Sequence, residues 1–200
     1  MKAEIPASQA LVDAILKQDV PGVRSAFSAG ADPNAYVDGI SMLGWLEGAA
    51  GRLTEMDGER WLGMLRALLD AGADPNQSTD GPPGEPAYIL HAVSQCALLP
   101  AMAMLLRYGA NPNLLVDGAD TALDWACQDA AFIRMDKLPD EYAGCPLPGH
   151  PLPTDAEFDA QGLVFHRWLM SRHQRGIALL REAGALHGHE MGVAANGSIA

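Results

Sequence analysis

Apolar positions in this chain recur at helical spacing, and each helical stretch stops on the same signal. Leu62, Leu65, Leu68 and Leu69 form one apolar stripe on a helix. Residues 9–16 and 20–27 read as a helix pair, with Pro21 early in the second helix, where its missing N–H leaves no bond unmade. The stop signal is Ala29-Gly30-Ala31-Asp32-Pro33-Asn34, then Ala71-Gly72-Ala73-Asp74-Pro75-Asn76, Tyr108-Gly109-Ala110-Asn111-Pro112-Asn113 and Ala183-Gly184-Ala185. A glycine directly after a Leu- or Ala-rich helix takes the left-handed conformation that closes the last turn. The Asp/Asn-Pro-Asn that follows cannot continue a helix and favours a turn. Such self-similarity predicts one supersecondary unit used several times.

A second landmark stands 19 positions upstream of the glycine, at Leu11 before Gly30 and at Leu90 before Gly109. Around the recurring leucine the text reads Gly39-Ile40-Ser41-Met42-Leu43, Tyr88-Ile89-Leu90-His91-Ala92-Val93 and Asp120-Thr121-Ala122-Leu123-Asp124-Trp125-Ala126. Over roughly residues 8–186 this resembles the ankyrin repeat, which opens on Thr-Pro-Leu-His-x-Ala and closes on Gly-Ala-Asp-x-Asn at a period of about 33 residues. The resemblance implies an all-α solenoid of about four helix-pair units with short β-turn fingers, over residues 4–35, 36–78, 79–115 and 116–186.

Two units exceed the family length. The second is enlarged near residues 51–58 and the fourth near 132–153, each between paired helices, so both inserts should rise from one edge of the stack. Pro139, Pro146, Pro148, Pro151 and Pro153 argue against regular structure in the second insert. Thr154-Asp155-Ala156-Glu157 then reads as a capping box. Phe158, Phe165, Leu169, Ile177 and Leu180 support one helix to Glu182 of about 40 Å, or two broken near Gly162 or Gly176. Gly-Pro-rich Thr79–Gly84 reads as finger loop. Residues 187–200 lose periodicity and read as a mobile tail.

Composition narrows the picture. The 200-residue chain is long enough for a sizeable core. No apolar run is long enough for a membrane span, and Met1-Lys2-Ala3-Glu4 leads into no signal region. Three cysteines without metal-like spacing point to a reducing interior, and the expectation is a cytoplasmic protein. A net charge of −12 argues against nucleic acid as partner, and favours solubility or a basic protein.

Candidate chemistry is thin. Cys145 and His150 share a loop, without the second half of a catalytic or metal site. His187-x-His189-Glu190 looks like a metal-binding triplet, placed in the tail. His166 and His173 read as the border of a helix, and Cys96 and Cys127 as small buried residues. His91 takes the His position of the opening motif, where the resemblance implies a structural bond to backbone. Trp45 and Trp125 share a register two positions after the leucine and read as space-filling between units or, functionally, as a pair of aromatic anchors for a partner. No phosphate loop, dinucleotide fingerprint or nucleophile elbow occurs, and no catalytic residue, metal or cofactor is assigned.

The resemblance implies a concave strip of fingers and first helices that binds protein. Mapped on this chain, the strip is Tyr36, Val37, Asp38 and Ile40, then Gln77, Thr79 and Asp80, then Leu114, Leu115, Val116, Asp117 and Asp120, with Gln95, Gln128 and Asp129 from helices. The expected function is a non-enzymatic, monomeric binding module recognising another protein: an adaptor, an immunity protein neutralising a basic toxin, or a secreted effector in an Ala-rich bacterial style. The rival readings are a hydrolase or redox enzyme with its site in the 132–153 insert around Cys145 and His150, and a structural protein assembling through its C-terminal helix.

Overall fold

The computed structural model describes residues 6–50, 58–80, 86–134 and 170–191. It is mostly helical. Helices α1 (Ala7–Leu16) and α2 (Val20–Ser28) form the first pair, α3 (Met42–Ala50) and α4 (Gly58–Asp70) the second, and α5 (Ile89–Gln95) and α6 (Leu99–Arg107) the third. Helix α7 (Ala122–Arg134) and a helical stretch over 170–182 follow. One hairpin, β1 (Tyr36–Val37) with β2 (Ile40–Ser41), is antiparallel in register Tyr36↔Ser41 and Val37↔Ile40.

The helices stand in two ranks. Each pair packs internally, α1 packs on α3, α3 on α5 and α5 on α7, while α2 packs on α4 and α4 on α6. Gly176 of the C-terminal helix faces Leu99 and Met102 of α6, which extends the second rank. The core lies between the ranks. Leu11 and Ile15, Met42, Leu43 and Leu46, Met64, Leu65 and Leu68, then Leu90, Met102 and Leu105 are all buried there. The leucine stripe of α4 thus turns inward as the spacing predicts. None of the described helices is long and apolar enough to cross a membrane.

The repeated stop signal closes four helices with one geometry. Gly30, Gly72, Gly109 and Gly184 have φ of 90°, 95°, 91° and 83°. In each case the glycine N–H donates three residues back, as in Gly72 to Leu69 at 3.0 Å, and the next alanine N–H donates five back, as in Ala73 to Leu68 at 3.0 Å. This double closure satisfies carbonyls that a helix end leaves open. Gln18 and Ala97, with φ of 57° and 48°, close α1 and α5 in the same way without glycine.

The asparagine ending each signal then reaches into the next one. Asn34 donates from Nδ2 to the Gly72 carbonyl at 2.9 Å and accepts the Asp74 N–H at 2.7 Å. Asn76 does the same with Gly109 and Asn111, and Asn113 with Gly184 and Leu186. Both functions of each amide are used, so the three residues clamp four helix ends in a row.

Three expectations change. The helix over 170–182 runs through Gly176, so no break falls there. Helix α7 continues to Arg134, past the start expected for the insert. Gly188–Met191, which the sequence assigns to the tail, forms a 3-10 turn held by side chains of Asp124 and Arg181. Of the expected inserts at 51–58 and 132–153, residues 51–57 and 135–153 lie outside the described residues, as do His166 and the capping box at 154–157.

Candidate functional site

The finger positions fall in the turns between successive helix pairs. Asp38-Gly39 turns the first finger with φ of 51° and 79°, and Asp117-Gly118 turns the third with 53° and 67°. Two consecutive left-handed residues suit the twist of a tight hairpin, and Asp-Gly is the dipeptide that tolerates them. The middle finger docks on the first: Ser41 N–H donates to the Thr79 carbonyl at 3.0 Å, and Ile40 bridges Asp80. The Tyr36 hydroxyl, on a side chain that is 42% exposed, donates to the Ser78 carbonyl at 3.2 Å. Gln77 ties back to the Asn34 carbonyl at 2.7 Å.

Exposure divides the predicted strip. Asp38, Asp80, Asp117 and Gln128 are exposed, while Val37, Ile40, Gln77, Gln95, Leu114, Leu115 and Asp120 are half-buried. Thr79 at 4% and Val116 at 7% are buried and are not surface residues. Thr79 turns toward Glu47 of α3, to which it is hydrogen-bonded. Val116 pairs with Asp120 across the Asp117-Gly118 turn, Val116 N–H to Asp120 carbonyl at 2.9 Å. Within the apolar Leu114-Leu115-Val116 run, Val116 is thus buried and Leu114 and Leu115 are half-buried. The side chain of Asp129 lies outside the described residues. Gln128 Nε2 approaches Asp120 Oδ2 at 3.5 Å, so the hairpin and α7 share one polar edge.

The position after the landmark leucine does one job in three ways. At His91, Nε2 lies 3.4 Å from the Asp120 carbonyl, at the base of the next hairpin. A carbonyl only accepts, so Nε2 carries the proton. Tyr88 and Trp125 enclose the ring, the latter edge-on at 5.5 Å. Burial pushes the His91 pKa below its ordinary value of 6.5, against the opposing bonds to the Asp120 and Leu114 backbone. At Gly44 there is no side chain, because the Thr79 carbonyl occupies the space a Cβ would need. At Asp124 the carboxylate takes the N–H of Gly188 at 2.9 Å. Trp45 and Trp125 are half-buried; Trp45 donates from Nε1 to the Val37 carbonyl at 3.2 Å.

Asp124 also gathers residues that sequence spacing left apart. Its Oδ2 accepts from the N–H and the hydroxyl of Thr121, each at 2.9 Å, and Oδ1 meets His187 Nδ1 at 2.6 Å. Burial raises the Asp124 pKa, but the donors Thr121, Gly188 and His187 outweigh it and hold the carboxyl below its ordinary value. His189 stacks on His187 with ring centroids 5.2 Å apart. Glu190 pairs with Arg181 at 2.8 Å, which brings the Glu190 carboxyl down to about 2. Nothing in the local sequence marks Thr121, Asp124 or Gly188 as functional. The available signal was Asp124 standing at the register of His91.

His173 is fully buried rather than at a helix border. Cys96 and Cys127 are half-buried and pack against the core. Cys145 and His150 lie outside the described residues. No protein-family model matches the chain, and no curated protein matches it.

Proposed function

We propose that this chain is an ankyrin-type repeat protein that binds another protein along its hairpin strip, without catalysis. Support for the family comes from the paired helices in two ranks, the glycine closures and the asparagine clamps between successive units. The observation that carries the binding reading is the exposed carboxylate in each finger, Asp38, Asp80 and Asp117, on a chain of net charge −12. Such charge attracts a basic surface and speeds its approach. The partner is thus a basic protein, which suits an inhibitor of a basic toxin better than a general adaptor.

The test replaces Asp38, Asp80 and Asp117 together with asparagine. Asparagine keeps the left-handed turns at 38 and 117 and removes only charge. With the immobilised full chain and a lysate of its own cells, the wild type should retain a basic protein that salt elutes. The triple variant should retain it weakly, with the loss in on-rate and shrinking at high salt. Equal capture at every salt concentration by both proteins would overturn the reading. Turnover of a substrate that Cys145→Ser abolishes would replace it with the enzyme reading.

A further inference from the structure

We propose that Asp124, His187 and His189 form a binding site for a divalent transition-metal ion of the zinc type, which latches the C-terminal turn onto the start of α7. A carboxylate oxygen of Asp124 and one ring nitrogen of each histidine lie within 4.8 Å of one another. A tetrahedral centre with bonds of about 2.0–2.2 Å spaces its ligands roughly 3.3 Å apart, so closure needs a movement of about 1.5 Å. His189 is exposed and can supply that movement by rotating its side chain, while Asp124 Oδ1 and His187 Nδ1, now 2.6 Å apart, part by about 0.7 Å to straddle the ion.

The surroundings are those of a prepared ligand set. Oδ2 of Asp124 is held by three donors, the Thr121 N–H and hydroxyl and the Gly188 N–H. This leaves Oδ1 aimed at His187 Nδ1 at 2.6 Å. An arriving cation takes the place of the proton between these two atoms, and solvent returns a proton to Nε2, so the ring ligates as a neutral imidazole. His189, stacked nearly parallel at 21°, supplies the third ligand, and water completes the shell. The turn is independently pinned by Arg181 to Glu190 and by His187 N–H to Glu190 Oε2 at 2.7 Å, so it meets the metal already folded. Imidazole nitrogens with one carboxylate select zinc, nickel or copper over the oxygen-seeking magnesium.

The experiment is calorimetric titration of the untagged full chain with Zn2+, alongside thermal unfolding with and without the ion. One equivalent should bind and raise Tm, while Mg2+ should do neither. His189→Gln removes one ligand and leaves the Asp124–His187 pair; it should fold with an unchanged metal-free Tm and bind Zn2+ at least about tenfold more weakly. Asp124→Asn, with circular dichroism to confirm its fold, should weaken binding as well. Absence of Zn2+ binding by the wild type, or an affinity unchanged in His189→Gln, would overturn the proposal. In the second case the ion would sit elsewhere in the chain.

Discussion

A single register position, one after the recurring leucine, carries a different residue in each pair, and each choice has its own measurable consequence. At Gly44 the Thr79 carbonyl lies where a Cβ would go, and that carbonyl is committed to Ser41 N–H. Gly44→Ala should therefore destabilise by about 1–3 kcal/mol, as overpacking does. Gly48→Ala, four residues on in the same helix with open space at its Cβ, should be neutral or stabilising by up to about 1 kcal/mol. Chemical denaturation of the two variants separates close approach from helix propensity.

His91 and Glu47 give opposite pH signatures. The folded state lowers the His91 pKa by burial, so the unfolded chain takes up the proton first. Stability is full above the ordinary value of 6.5 and declines as pH falls from there toward the folded pKa. His91→Gln keeps an N–H for the Asp120 carbonyl and should flatten that decline between neutral and mildly acidic pH. Glu47 is raised above its ordinary 4.5 by burial and by repulsion from Asp80, against the bond from Thr79. Its folded form resists ionising, so its contribution is full below 4.5 and is lost as pH rises through the folded value. Glu47→Gln should stabilise the protein at neutral pH and match the wild type at acid pH. Paired denaturation curves across pH would detect either failure.

At the scale of elements, the helix ends were legible and the ties between them were not. Gly72 after an apolar stripe announces a left-handed closure, because glycine there avoids a penalty of about 1–2 kcal/mol. The role of Asn76 was hidden in the same phrase: Asp-Pro-Asn reads locally as a turn, yet its amide works across to Gly109 and Asn111. Periodicity reports which face a helix buries, but not which distant backbone group a polar side chain meets. For the same reason Val116 read as a surface anchor and is buried, and His187-x-His189 read as loose tail and is docked on Asp124. Asn76→Ala removes two bonds at once and should cost about 1–3 kcal/mol. Asn76→Asp keeps the acceptor for Asn111 N–H but sets a carboxylate against the Gly109 carbonyl, and it should rescue only part of that loss. A full rescue would show that the Gly109 bond contributes nothing.

At the scale of the whole molecule, pairs touch chiefly their neighbours in each rank. Stability in such a stack is a sum of unit and interface contributions, so a broken interface loosens the end beyond it more than the middle. Residues 170–191 join the rest through ties that include Asn113 to Gly184 and Leu186, Arg172 to the Ala97 carbonyl at 2.8 Å, Gly176 against Met102, and Asp124 to His187 and Gly188. Asn113→Ala should leave the first three pairs almost intact while residues 170–191 open more often. Hydrogen exchange reads this directly: amides of 177–185 should exchange faster by roughly tenfold for each 1.4 kcal/mol lost, with those of α3 and α4 unchanged. Asn34→Ala, the same chemical change at the other end, should spare 170–191 and loosen α1 and α2. If both variants raised exchange evenly along the chain, the molecule would unfold as one cooperative block, and the nearest-neighbour account of its stability would be wrong.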